Sequence, residues 1–189
     1  MVQPAVKYYT QEEYLAFERQ ALEKHEYYKG EIFNMAGASI NHNKLLMNFI
    51  GETRNFLKGK SCDVFGSDLR IHIPSNTLYT YPDAVIVCND LETLDNEADT
   101  ILNPVVIIEI LSPSTQSYDR GDKFMLYRSI QSLQEYILID SLSVKVEHYT
   151  RQPNGTWLLQ EWKSLSDNLF ISSINFTFPL SELYSGVKL

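Results

Sequence analysis

Cysteine is scarce in this chain. Cys62 and Cys88 stand far apart, with no C-x-x-C pair and no His-rich tract beside them. That spacing gives a zinc site little support, and two residues are too few for a disulfide framework. The expectation is two reduced thiols that fill core space. Long apolar runs are missing as well. The longest, Val105 to Leu111, contains Glu109 and is far too short to span a bilayer. The stretch from Met1 to Tyr14 is polar, carries Lys7, Glu12 and Glu13, and shows no apolar leader region. A cytoplasmic protein with no membrane partner is therefore expected. Proline and glycine, at 7 and 8 residues, form no linker, and there is no repeat or low-complexity segment. Positive charge is in deficit: 16 Lys+Arg against 24 Asp+Glu leave a net charge of −8. This excludes a protein that coats nucleic acid by charge alone, which needs surplus Lys/Arg to release counterions. It leaves a nuclease open, because a local basic groove or a bound metal can work inside an acidic protein.

What is present suits one globular domain over residues 1–189, with 44% hydrophobic residues to build a core. Thr10-Gln11-Glu12-Glu13 reads as a capping box that opens a helix to about Leu22. Glu26 to Met35, rich in Tyr, Ile and Phe around Lys29-Gly30, reads as a hairpin. Ser39 to Lys58 carries Leu45, Leu46, Phe49, Ile50, Thr53, Phe56 and Leu57 on one helical face, and Gly59 suits its C-terminal end. Asp63 to Ile73 alternates, with Leu69, Ile71 and Ile73 opposite Asp68, Arg70 and His72. Asp83 to Cys88 and Val105 to Leu111 read as central strands covered on both faces. Asp119 or a neighbour is expected to cap a helix from Arg120 to about Ser132. Strands at Glu135–Ile139, Val144–Tyr149 and Thr156–Trp162 then form a meander with a turn at Pro153-Asn154-Gly155. The fold class is α+β, with a mixed central sheet flanked by helices.

Two acids sit where acids are expensive. Asp83 opens an apolar strand, and Glu109 shares a strand face with Val105, Ile107 and Leu111. An ionised carboxylate there must be paired, protonated or bound to metal. Two carboxylates on neighbouring strands repel, and a divalent cation removes the conflict; oxygen ligands suit Mg²⁺ or Mn²⁺. The competing reading gives each acid a buried Arg or Lys partner. Lys123, Leu126, Tyr127 and Ile130 share one helical stripe, which turns Lys123 inward and within reach of the carboxylates. By itself such a lysine reads as a snorkelling chain or an ion pair with Asp119 or Asp122; taken with Glu109 fourteen residues earlier, it reads as part of a site.

These residues resemble a family. Tyr81-Pro82-Asp83, Glu109-Ile110-Leu111-Ser112-Pro113-Ser114-Thr115, Asp119-Arg120-Gly121-Asp122-Lys123 with Tyr127, and Glu135-Tyr136-Ile137-Leu138-Ile139-Asp140 are similar to the bacterial "putative restriction endonuclease" family called Uma, abundant in cyanobacteria. Glu26-Tyr27-Tyr28-Lys29-Gly30-Glu31-Ile32, with His42 opening the long helix, looks like its N-terminal signature. The resemblance covers about Tyr9 to Tyr149 and leaves residues 150–189 as an extension. It implies a restriction-endonuclease-like core of the PD-(D/E)xK nuclease superfamily. Asp83 then corresponds to the motif aspartate and Glu109 to the glutamate. Leu111 stands where the motif lysine is expected, and Lys123 on the following helix takes that role. Glu31 is either an additional acid near the metal or a solvated hairpin charge. Asp68, Arg70 and His72 either line the cleft or face solvent. His42 reads as a capping or core-edge histidine before a catalytic one, and Tyr127 either packs or positions Lys123.

The function expected from this is Mg²⁺-dependent (or Mn²⁺-dependent) hydrolysis of DNA phosphodiester bonds. Asp83, Glu109 and the carbonyl of Ile110 would hold the metal, and Lys123 would orient or deprotonate water or neutralise a phosphate oxygen. The alternative is a catalytically degenerate or regulatory interaction module on the same fold, which the net charge favours. A two-carboxylate glycosidase is a more distant reading, because no aromatic sugar platform accompanies the motifs. The wealth of aromatic residues (12 Tyr, 9 Phe, 2 Trp) suggests homodimerisation through the terminal meander.

Overall fold

The computed structural model describes residues 7–35 and 37–189, so the first six residues of the polar N-terminal stretch lie outside the described residues. The chain opens with α1 (Gln11–Glu18). Its capping box is complete: the Glu13 amide donates to the Thr10 hydroxyl at 3.2 Å, and the Thr10 amide to the Glu13 carboxylate at 2.8 Å. The helix stops well before Leu22, whose side chain is fully exposed. Glu18 turns inward instead and accepts from the His25 amide and the Tyr81 hydroxyl, both at 2.9 Å. The hairpin follows as β1 (His25–Tyr28) and β2 (Glu31–Asn34). Lys29 and Gly30 both have positive φ, 48° and 92°, the geometry that matches strand twist in a two-residue turn.

Helix α2 (Ile40–Leu57) is capped by Ser39 and buries Leu45, Phe49, Thr53 and Leu57, one stripe at i, i+4 spacing. The single strand expected over Asp63–Ile73 is two: β3 (Cys62–Gly66) and β4 (Arg70–Ile73), in different sheets. A turn at Ser67-Asp68, closed by Leu69 N–H to Gly66 C=O at 3.2 Å, redirects the chain. An alternating pattern does not reveal that its two halves pair with different neighbours. Strands β5 (Leu78–Thr80), β6 (Ala84–Cys88), β7 (Thr100–Ile101) and β8 (Val106–Leu111) come next.

A helical segment then runs through α3 (Gln116–Tyr118), a π turn at Asp119–Lys123 and α4 (Phe124–Tyr127). It begins earlier and ends earlier than expected. Asp119 is no cap: it is buried inside the π turn. The meander is β9 (Glu135–Asp140), β10 (Val146–Arg151) and β11 (Trp157–Trp162). Strands β12 (Asn168–Ile171) and β13 (Phe176–Pro179) and helix α5 (Leu180–Leu183) close the fold.

The main sheet has the order β11-β10-β9-β8-β6-β3 and is mixed. Strands β8 and β9 are parallel, whereas β3/β6 and β6/β8 are antiparallel. Its central strands are covered on both faces, which explains their unbroken apolar runs. One face packs Ile86, Ile108, Ile110 and Ile137 against Leu45 and Phe49 of α2 and Phe178 of β13. The other packs Val85, Ile107, Leu111 and Leu138 against Phe124, Leu126 and Tyr127. A second sheet, β2-β1-β5-β4-β7, stands beside this face, and Tyr14, Tyr27 and Tyr79 cluster against it.

Three expectations are corrected here. Cys62 and Cys88 are not free thiols: the β3/β6 register sets them opposite each other, 3.9 Å apart at Cα, and they form a disulfide. Arg70 and His72 neither face solvent nor line the cleft. Arg70 is buried with Asp99 (3.0 Å), Thr100 (2.9 Å) and Tyr81 (3.0 Å). His72 is buried, bonds the Leu78 carbonyl at 3.1 Å and stacks on Tyr79. Among the described residues no helix is long and apolar enough to cross a membrane.

Candidate active site

The parallel β8/β9 pair turns Glu109 toward α3 and α4, on the face that also carries Ile107 and Leu111. Asp83 enters at the start of β6, the neighbouring antiparallel strand. The two acids are locked through the main chain. Ile110 N–H donates to Asp83 Oδ2 at 2.7 Å, and Asp83 N–H points at Glu109 Oε2 from 3.4 Å. Lys123 reaches down from the helical segment, its Nζ 2.9 Å from Glu109 Oε1. The three sequence-derived residues therefore converge, with Lys123 and Glu109 both buried.

The π turn matters to this arrangement. It holds Asp119 and Lys123, four residues apart and so on one face, both turned inward. Lys123 Nζ lies 3.6 Å from Asp119 Oδ1 and 3.3 Å from Glu26 Oε1. Tyr127, fully buried, donates its hydroxyl to Glu109 Oε1 at 2.8 Å. His42, from the first turn of α2, places Nε2 3.1 Å from Asp83 Oδ2, so this histidine belongs to the site and not merely to the edge of the core.

Two other candidates lie elsewhere. Asp68 sits in the β3–β4 turn with a side chain 98% exposed, paired with Lys24 at 3.1 Å. Glu31 is exposed on edge strand β2. The acid that the N-terminal hairpin contributes is Glu26, on the inner strand β1. It accepts from the Tyr118 hydroxyl at 3.3 Å and from the Thr80 hydroxyl. Glu26 and Asp119 were not singled out as site acids, although both stand in the quoted motifs. The signal that separates Glu26 from Glu31 is position in the hairpin: β1 pairs on both sides, whereas β2 pairs only with β1.

Electrostatics follow from burial. Loss of solvent pushes the Glu109 carboxyl up to about 8, against the pull of Lys123 and with help from the Asp119 and Asp83 charges. Asp119 is raised for the same leading reason, again opposed by Lys123. Burial alone would lower the Lys123 ammonium, but Glu109, Glu26 and Asp119 outweigh it and hold Lys123 well above the usual lysine range. The site thus holds a persistent cation among carboxylates that are costly to ionise.

These groups form the floor of a cleft of about 950 Å³. Its walls include Tyr28, Phe33 and Met35 from the hairpin side and Tyr118, Met125 and Leu126 from the helical side. Among the described residues no three His, Cys, Asp or Glu side chains are gathered closely enough to hold a metal by themselves. Ile110 lines the cleft beside the two acids.

Comparison with known proteins bears on the fold and the family. A crystal structure described as a putative nuclease belonging to DUF820, from Anabaena variabilis, shares the fold with a TM-score of 0.77. It is 18% identical, and the match covers 94% of this chain and 98% of that one. Two uncharacterized proteins of Synechocystis sp. are 38% and 40% identical over 176 and 161 residues. These cover 93% and 85% of this chain and 91% of each relative. The family model for Uma2, described as "Putative restriction endonuclease", matches residues 11–180. The match runs past Tyr149 and includes strands β11 to β13. On that match and those relatives, the chain belongs to the Uma2 family of putative restriction endonucleases.

Proposed function

We propose that this protein is a Mg²⁺-dependent (or Mn²⁺-dependent) endonuclease that hydrolyses phosphodiester bonds of DNA. One observation carries the reading: two strand-borne carboxylates, Asp83 and Glu109, are interlocked at the floor of a cleft with the Lys123 ammonium 2.9 Å from Glu109. The residues present fit a hard divalent cation. The donors are all oxygen: the Asp83 and Glu109 carboxylates and the Ile110 carbonyl. The charge balance favours one too, since Glu26, Glu109 and Asp119 share a single ammonium and Asp83 lies beside Glu109. When bound, the metal supplies a Lewis acid that acidifies water and offsets charge on the phosphate.

The chain's own groups do the rest. Lys123 stays an ammonium, so its role is to hold the attacking water or a phosphate oxygen in place, not to take a proton. Tyr127 fixes the Glu109 carboxylate by its hydroxyl, and the Ile110 amide and His42 fix Asp83. Such preorganised groups cost no reorganisation during reaction, which is why losing one of them is expensive.

The test is incubation of plasmid and oligonucleotide DNA with Mg²⁺, Mn²⁺ or a chelator, alongside Glu109→Ala and Lys123→Ala. Cleavage is expected only with metal, and each variant is expected to lose about a hundredfold or more in rate. Full activity in both variants removes the assignment. Absence of both cleavage and Mn²⁺ binding favours an interaction module instead.

A further inference from the structure

The cleft says more about the substrate than the family does. We infer that it accepts unpaired nucleotides of DNA, a single strand or a frayed stretch, with bases stacked on Phe33 and Tyr28, in preference to continuous duplex. The inference rests on the nuclease reading and deepens it.

The register of the N-terminal hairpin places Phe33 beside the chemistry. Glu26, which meets Lys123, is the direct cross-strand partner of Phe33. Tyr28, two residues on from Glu26, lies on the same face. Directly opposed side chains in a hairpin stand about 5 Å apart at Cβ. The strand face that delivers an acid to Lys123 therefore also brings two aromatic rings to the cleft: Phe33, which is open, and Tyr28, which packs partly on the core with the Lys29 ammonium 5.0 Å from its ring centre. Phe33 is 46% exposed there, and Met125 on the facing wall is 54% exposed. Exposed rings and thioethers at the mouth of a reactive cleft offer flat, polarisable contact to a base.

Charge points the same way. The cations lining the cleft are Lys24 and Lys123. Lys24 is held by the Ser67 carbonyl at 2.8 Å and by Asp68, and Lys123 by three carboxylates. No described lining residue offers an uncommitted cation to follow a duplex backbone, the contact on which duplex affinity mostly depends. Stacking therefore has to supply affinity that charge does not, and bases are available for stacking only when unpaired. The cleft volume of about 950 Å³ is on the scale that encloses small molecules, about 300–1,000 Å³, and accommodates a few nucleotides.

The experiment uses the full chain with chelator present, so that binding is read without cleavage. A DNA oligonucleotide carrying the fluorescent base 2-aminopurine is titrated as a single strand and as a blunt duplex. The single strand is expected to bind about tenfold more tightly or better, with quenching of the base on stacking. Phe33→Ala is expected to weaken single-strand binding about fivefold or more and to relieve the quenching, and Phe33→Trp to retain both. Phe33 is half exposed on an edge strand, so both variants should keep the parent melting temperature. Equal affinity for duplex and single strand, or unchanged binding and quenching in Phe33→Ala, overturns the inference. Glu109→Ala separates the two claims. Cleavage that survives this change defeats the nuclease assignment while leaving the binding result intact. Cleavage that is lost, with Phe33→Ala binding unaltered, defeats only the substrate inference.

Discussion

Replacing Lys123 with methionine removes the one cation that faces Glu109, Glu26 and Asp119 at 2.9, 3.3 and 3.6 Å, while keeping most of the side-chain volume. Both Lys123 and Glu109 are buried, so solvent does little to compensate. Breaking a buried pair by deleting one partner costs about 3–5 kcal/mol, because the remaining charge is left without a counterion. The loss should depend on pH in a defined direction. Glu109 and Asp119 already have raised carboxyl values in the folded state. A raised value means that the fold favours the protonated form. Stability from these groups is therefore complete below the unfolded carboxyl range and lost as pH rises through the folded values, about 8 for Glu109. Without the ammonium both values rise further. The difference between parent and Lys123→Met is expected to be largest near about pH 9 and to shrink toward about pH 5 as protons neutralise the cluster. Urea unfolding at the two pH values measures it. A loss under about 1 kcal/mol at the higher pH, the size of an exposed ion pair, refutes the reasoning. So does a loss that is equal at both.

Tyr127→Phe deletes the hydroxyl that donates to Glu109 and keeps the ring. It should cost about 1–2 kcal/mol and raise the Glu109 carboxyl further, which moves the DNA-cleavage profile to higher pH. Mn²⁺ should raise the melting temperature of the parent more at about pH 8 than at about pH 6, because Glu109, raised to about 8, must lose its proton to bind; an equal rise at both contradicts its place among the ligands. Cys62→Ser should cost about 3 kcal/mol, as expected for a crosslink spanning a sequence separation of 26. A reductant should impose the same loss on the parent and none on the variant. For Glu135, burial pushes the carboxyl up, but His148 and Ser173 outweigh burial and lower it. Its contribution is thus present above the unfolded carboxyl value and fades as pH falls. Glu135→Gln should cost about 3 kcal/mol at neutral pH and much less near about pH 3 in chemical denaturation.

The residues that meet in the candidate site were legible because they break local rules. An acid inside the Val105–Leu111 run and an amine on the apolar stripe of the next helix are both costly unless they meet, and they do meet. Helix α2 and the hairpin were equally plain, since Ser39, Gly59 and Lys29-Gly30 are local signals for local geometry. Sequence periodicity failed where a long-range partner decided the outcome. Arg70 and His72 read as a polar face that lines the cleft or meets solvent, but Asp99, Thr100 of β7 and the Leu78 carbonyl of β5 satisfy them in the interior.

The sequence by itself determined the α+β class, the buried central strands and the trio of Asp83, Glu109 and Lys123, because each is written in spacing along one element or in the price of burying charge. Only the tertiary structure decided that Glu26 and not Glu31 completes the cluster, that Asp119 and not Asp122 pairs with Lys123, and that Cys62 faces Cys88. Those outcomes depend on which strands become neighbours and in what register. That is a property of the whole sheet, and no single strand carries it.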